Sequence, residues 1–440
     1  MDAKKENEPW LLLIDSYNKP YAAEGSRKLV DMLIRLVDES FPVPGSKKHL
    51  VKQDVLSLWK ELTSERSERK ADYMGSPARL SAYLRYFMPW NVVKLASLLS
   101  AMELDIKEGS SIMDIGSGPL SLPIALWIAK AEYRALPLKL VCTDRVPKAM
   151  ESGQSLLEAM ALRNNQPLVW QIELKKDDFL YKTAKNEEKF DLVTAANVFN
   201  ESFWRQKGSI SERASQLAVN LGKKLKADGS ALLIEPGDPR GGSMLAALRE
   251  AVILGGGSII APCPHGQACP MPGSFLSSVY RKTDEEAYAK SAKPLTKMDR
   301  VVMAKGRSKA PWCHFSVDTT AAPKSLLDFS DKIGLPKDRL IASWLFFKPH
   351  SKAAINEEEN RSVRLISDSF KLPDGGFGRY ACSKAGYSLA RGSLAELPSG
   401  TLAILNKDIP GLKAPKPGQA SIQKDAKSGA IILRAFFRKL

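Results

Sequence analysis

Between residues 110 and 260, short apolar runs alternate with longer amphipathic segments, and this pattern limits the fold more than any other feature of the chain. The runs fall at 111–115, 138–143, 169–174, 190–195 and 230–234. The helical patterns between and after them fall at about 120–134, 147–162, 210–225 and 241–253. Strand–helix alternation with crossovers of this length predicts a parallel sheet covered on both faces, the α/β class. Open sheets of that kind bind ligands at the carboxyl ends of their strands.

Four regions are expected over the 440 residues, a length beyond one ordinary core. Residues 1–105 read as helical, with Ser26 as a helix cap, a second helix from Val51 to about Tyr73, and a third after Pro77 that Pro89 breaks or kinks. Residues 106–260 form the Rossmann-like domain. Residues 261–340 are rich in Pro, Lys and Ser and hold three cysteines. Residues 341–440 complete the sheet and add a small basic β-rich domain, with strand-like runs at 342–347, 363–370, 379–382, 387–389, 402–405 and 430–437.

The first apolar run leads into Asp114-Ile115-Gly116-Ser117-Gly118-Pro119 and then a helix. Glycines there let the backbone turn sharply and approach a ligand that a Cβ would exclude. Asp114 can accept hydrogen bonds from a ligand amine. The second run ends at Asp144, placed to bind ribose hydroxyls, and the third is followed by Asp178, within reach of an adenine amino group. A dinucleotide fingerprint would continue to a third glycine, where Ser121 stands. S-adenosylmethionine, which has no phosphate, fits better. Asn197, Asn200 and Glu201 follow the fourth run, where a methyl acceptor would sit, and Asn197 also counts among the cofactor contacts. The same asparagines equally suit the start of the next helix. Glu235-Pro236-Gly237-Asp238, after the fifth run, is expected at the pocket rim.

Charge and cysteines extend this reading. The formal net charge is +16, and residues 281–440 hold 29 Lys and Arg against 16 Asp and Glu, so a polyanionic partner is expected to meet the C-terminal third. No apolar run approaches the roughly 20 residues of a membrane span. The first eight residues lack a signal-peptide or transit pattern, so a cytoplasmic monomer without a membrane partner is expected. Cys142 lies in an apolar run and reads as a core thiol. Cys263 and Cys269 lie in a proline-flanked turn with His265, Cys313 adjoins His314, and Cys382 comes about 70 residues later. Four thiolates suit a [4Fe–4S] cluster, and four cysteines, or three with a histidine, equally suit zinc. Spacing alone leaves both open. Ligation through Cys382 would pin the C-terminal domain to the rest.

Tyr83-Leu84-Arg85-Tyr86-Phe87-Met88-Pro89, the 114–119 loop, Cys263-Pro264-His265 with Cys269-Pro270, and Trp312-Cys313-His314-Phe315 resemble the small-ribosomal-subunit methyltransferase-like family. That family includes a mitochondrial small-subunit assembly factor and bacterial relatives, and the resemblance spans roughly residues 77–390. It implies a class I methyltransferase Rossmann-like sheet that binds S-adenosylmethionine, a [4Fe–4S] cluster on Cys263, Cys269, Cys313 and Cys382, and association with small-subunit ribosomal RNA in assembly or translation. An active rRNA methyltransferase and a zinc-stabilised, non-catalytic adaptor on a degenerate methyltransferase fold are the alternatives. Two departures stand out. A lysine-rich stretch (Lys282, Lys290, Lys293, Lys297, Lys305, Lys309) separates Cys269 from Cys313 and reads as an extra RNA-contacting loop. Leu120 replaces a further glycine of the loop and is expected to narrow the cofactor pocket.

Overall fold

A computed structural model describes residues 11–16, 24–63, 73–177, 188–199, 203, 206–271, 312–319, 322–351, 357–412, 422–426 and 428–435. The lysine-rich stretch lies outside the described residues.

The chain opens with β1 (Leu11–Ser16), α1 (Glu24–Ser40), α2 (Leu50–Thr63) and α3 (Pro77–Ala82). Helix α1 starts before Ser26, which is therefore not its cap. For α3 the cap is Ser76, whose Oγ accepts the Arg79 N–H at 3.4 Å, with Pro77 in the first turn. Pro89 widens the helix where a break or kink was expected. It has no N–H to offer the Arg85 carbonyl, and the turn Tyr83–Phe87 becomes π-helical, with Met88 N–H donating to Tyr83 O. The chain then continues without interruption into α4 (Met88–Ser100), which is buried along most of its length.

The central domain runs β2 (Ser111–Ile115), α5 (Ser121–Ala129), β3 (Lys139–Asp144), α6 (Pro147–Arg163), β4 (Gln171–Lys176), β5 (Phe190–Ala196), α7 (Ile210–Lys224), β6 (Leu225–Pro236), α8 (Pro239–Leu254) and β7 (Ser258–Ala261). After the described residues resume come β8 (Phe315–Asp318), α9 (Lys324–Ile333) and β9 (Arg339–Lys348). The sheet order is β4-β3-β2-β5-β6-β9-β7, with β8 on the flank of β9. Strands β2 to β6 are parallel, and β9 is antiparallel to both β6 and β7. This is the expected class I methyltransferase-like sheet. One face packs against α4, α5 and α6 with α1 and α2 behind them, and the other against α7 and α8. A capping box at Ser209 and Glu212 starts α7, and Asp238 Oδ1 accepts the Gly241 N–H at 2.8 Å to start α8.

The C-terminal strands are β10 (Ser362–Lys371), β11 (Phe377–Ser383), β12 (Gly386–Gly392), β13 (Thr401–Leu405) and β14 (Ile431–Ala435), with the short α10 (Ser393–Glu396) before β13. They form a second sheet in the order β1-β13-β10-β11-β12-β14 around its own apolar core of Val363, Leu365, Ala381, Ala403 and Leu433. The N-terminal region is therefore not purely helical. Its first strand is the edge of the C-terminal sheet, paired antiparallel to β13.

Candidate cofactor and cysteine site

Strand order reverses around β2, between neighbours β3 and β5, and ligands of open α/β sheets sit at such a reversal. Asp114 is buried at the end of β2. Its Oδ1 accepts from Thr194 Oγ1 at 2.7 Å, while its Oδ2 is buried with no hydrogen-bond partner. Burial pushes the carboxyl up to about 7, against the hydrogen bond from Thr194 that lowers it. Ser117 braces the turn, donating from Oγ to Asp114 O at 2.9 Å and from N–H to Thr143 O at 2.9 Å.

Gly116 has φ +64°, and a Cβ there would lie 2.5 Å from Val198 Cγ2. Gly118 donates its N–H to Asp144 Oδ2 at 2.9 Å, and the other Asp144 oxygen accepts the Val146 N–H at 2.8 Å. Burial raises the Asp144 pKa and these N–H donors oppose it. Asp144 thus ties the glycine loop to β3, a task its spacing did not reveal. Leu120 adopts φ +52°, ψ +37° with its side chain fully buried in the core. The loop closes against α6 because Gly153 has no side chain. A Cβ there would lie 2.3 Å from the Pro119 carbonyl.

Across the crevice, Asn197 follows β5 with φ +60°, and its N–H donates to Ile234 O at 2.8 Å. Lys94, buried in α4, donates from Nζ to Asn197 Oδ1 at 3.4 Å. Burial lowers the Lys94 pKa to about 8, with the Glu235 charge opposing. Glu235 is fully buried, and its Oε1 accepts the Phe199 N–H at 2.9 Å, so it holds the chain after β5 in place. Nothing in the sequence marks Lys94, which sits among apolar neighbours in α4 about 100 residues from Asn197. Asp178, Asn200 and Glu201 lie outside the described residues.

The four loop cysteines converge where α8, the 262–271 turn, the start of β8 and β11 meet. Arg249 of α8 is the organiser. It donates to Cys263 Sγ at 3.1 Å, His265 O at 2.9 Å and Gln267 O at 2.5 Å, and it pairs with Glu250. Burial works against its charge, but Cys263, Cys269 and Glu250 hold its pKa above the ordinary value. Glu250 Oε1 accepts the Cys269 N–H at 2.8 Å. Cys313 O accepts from Ser343 Oγ at 2.6 Å, and His265 Nε2 stands 3.4 Å from Cys382 Sγ. Burial raises the Cys313 and Cys382 thiols well above the usual range, and charge on Cys263 and Cys269 raises them further. The thiols lie near enough to feel one another, yet among the described residues no three metal-binding side chains stand in a closed ligand arrangement. Their chemistry fits a cluster: four thiols, with an arginine beside the sulfurs to offset negative charge. Cys142 is a separate, buried core thiol.

Residues 77–310 match the family model described as mitochondrial small ribosomal subunit Rsm22. No curated protein matches the chain. Among solved structures, the chain is similar to a ribosomal protein L11 methylase from Lactobacillus delbrueckii subsp. bulgaricus, at 20% identity over 39% of this chain and 71% of that one, TM-score 0.26. It is similar to a precorrin-6y C5,15-methyltransferase from Geobacter metallireducens GS-15, at 14% identity over 39% and 73%, TM-score 0.27. It is also similar to a SAM-dependent methyltransferase from Geobacter sulfurreducens in complex with S-adenosyl-L-homocysteine, at 11% identity over 59% and 91%, TM-score 0.28.

Proposed function

The chain belongs to the Rsm22 family, and we propose that it is an S-adenosylmethionine-binding, methyltransferase-like iron–sulfur protein that acts on small-subunit ribosomal RNA in ribosome assembly or translation. The observation that carries the cofactor reading is the orphaned Asp114 Oδ2, buried beneath a glycine loop at the strand-order reversal. A buried acceptor without a donor costs about 1–3 kcal/mol, and the ammonium of a methionine moiety supplies that donor. Gly116, Ser117 and Gly118 shape the approach, Asp144 fixes the loop, and Asn197 and Lys94 face it from β5 and α4.

Cys263, Cys269, Cys313 and Cys382 would hold a [4Fe–4S] cluster beside Arg249. Such a group, when bound, supplies thiolate–metal bonds that cross-link the two sheets. Thiols kept for a metal require a reducing compartment, which supports the cytoplasm. The basic C-terminal third supports RNA as the partner, with the protein acting as a monomer. His265, with Nδ1 buried and unpartnered and Nε2 beside Cys382, favours zinc as the second reading.

Calorimetric titration with S-adenosylhomocysteine tests the cofactor reading. One site is expected in the wild type and none in Gly116→Arg, whose side chain would drive into Val198. Equal heats from both proteins, or no heat from either, would overturn it.

A further inference from the structure

The second sheet has features its sequence did not announce. Strands β10, β11 and β12 form an antiparallel meander, β14 runs parallel to β12, and β13 runs antiparallel to β10 after the short α10. With β1 left aside at the β13 edge, this is the pairing scheme of a five-stranded, partly open Greek-key barrel of the oligonucleotide-binding type. Such barrels take their ligands on the outer face of the second and third strands and on the adjoining loops. Here those strands are β11 and β12.

The register assigns their faces. Ala381, Ser388, Ala390 and Leu433 point into the barrel core. Tyr380, Tyr387 and Arg391 are on the opposite face with the buried Cys382 and Leu389, with Tyr387 paired to Cys382 and Arg391 level with Arg434 of β14. Phe370 of β10 joins this face, because its register partner is Gly378, two residues before Tyr380. The three rings form a continuous ladder over three adjacent strands. Phe370 and Tyr380 have centroids 4.8 Å apart, and Tyr380 and Tyr387 have centroids 4.9 Å apart. All three are half-buried. Tyr380 and Tyr387 lean on the core beside the cysteines, and the ladder runs outward to Phe370.

The surroundings are basic. Residues 357–440 carry 14 Lys and Arg against 8 Asp and Glu. Exposed Arg434 stands on the ring face level with Arg391, which pairs with Asp374 of the β10–β11 loop. Rings tilted by 31–45° to one another beside Arg391 and Arg434 suit an unpaired polynucleotide, whose bases have a π face and whose backbone is anionic. A duplex keeps its bases stacked on one another and presents only phosphates and groove edges to such a face.

We propose that the ladder Phe370–Tyr380–Tyr387 is a stacking platform for about two to three unpaired RNA nucleotides, with Arg391 and Arg434 taking the flanking phosphates. This deepens the RNA-partner reading above and rests on it. It also puts the platform one strand position from Cys382, so the fold brings the RNA face and the cysteine centre to one junction.

Fluorescence anisotropy with the full-length protein tests it, using a labelled oligouridylate of about 12 nucleotides and a duplex RNA of the same length. Phe370→Leu and Tyr380→Leu should each weaken oligouridylate binding about tenfold and leave duplex binding unchanged, while Tyr380→Phe, which keeps the ring, binds as the wild type does. Matching far-UV circular dichroism and thermal midpoints among the variants exclude misfolding as the cause. If the Leu variants bind oligouridylate like the wild type, the platform is overturned and RNA binding elsewhere on the protein stands. A parallel loss for duplex and oligouridylate also overturns it, since that is charge without stacking. If the wild type binds neither RNA, both the platform and the RNA-partner reading fall.

Discussion

Lys94 and Asp114 are buried ionisable groups with opposite pH signatures. Burial holds Lys94 near 8, whereas an unfolded chain keeps its lysines protonated to about 10.5. Below about pH 8 the folded protein therefore carries a desolvated ammonium at a cost of about 3 kcal/mol, relieved as pH rises from about 8 to 10.5. Lys94→Met should raise the thermal midpoint at about pH 7, with the gain vanishing near pH 10.5. A midpoint difference that does not change with pH would contradict this. Asp114 works in the other direction. Its folded pKa of about 7 exceeds the unfolded value of 3.8, so its stabilisation is complete below about pH 3.8 and about 4 kcal/mol is lost as pH rises through 7. Asp114→Asn should flatten the dependence of the urea midpoint on pH between about 4 and 7. Asp114 was legible in the sequence because it ends an apolar run just before glycines. Lys94 was not, because its neighbours Val92, Val93, Leu95 and Ala96 are all apolar and only the fold brings it to Asn197.

Among the elements, the loop from β2 to α5 shows which of two opposed effects prevails. Leu120 sits in the left-handed region, which costs about 1–2 kcal/mol for a residue with a Cβ. Its fully buried side chain contributes more, since Leu truncation in a core costs about 3–5 kcal/mol. Leu120→Gly is therefore expected to destabilise by about 2 kcal/mol in chemical denaturation, despite relieving the backbone. A stabilised variant would show that strain dominates. Gly153→Ala should cost about 2–3 kcal/mol, because the added methyl meets the Pro119 carbonyl, a backbone group that cannot turn aside. The central strands and helices were readable because a period of 2 alternates there with one of 3.6 over long stretches. β7 and β8 escaped notice because four residues carry too little periodicity among prolines and lysines. β1 escaped because its partner, β13, lies at the far end of the sequence.

At the scale of the whole molecule, the four cysteines gather where two sheets with their own apolar clusters meet. Arg249 and Glu250 of α8 clamp the Cys263–Cys269 turn, and Arg364 of β10 reaches from the second sheet to Pro262 O and Gly400 O, each at 2.8 Å. Cys382 belongs to the second sheet and meets His265 of the first domain. The cysteine pattern marked the residues that gather here, but Arg249 and Arg364 were invisible in sequence because nothing local distinguishes a clamping arginine from a surface one. Treating the purified protein with an iron chelator under oxygen should lower its thermal midpoint by about 5–10 °C, and Arg249→Leu should bring much of that loss without the chelator. The most direct measurement is iron and acid-labile sulfide content after anaerobic purification, in the wild type and in Cys382→Ser. About four iron and four sulfide per wild-type chain, with a brown colour, are expected, with a clear loss of both in the variant. One zinc per chain without sulfide, or unchanged iron and sulfide in Cys382→Ser, would contradict the iron–sulfur reading.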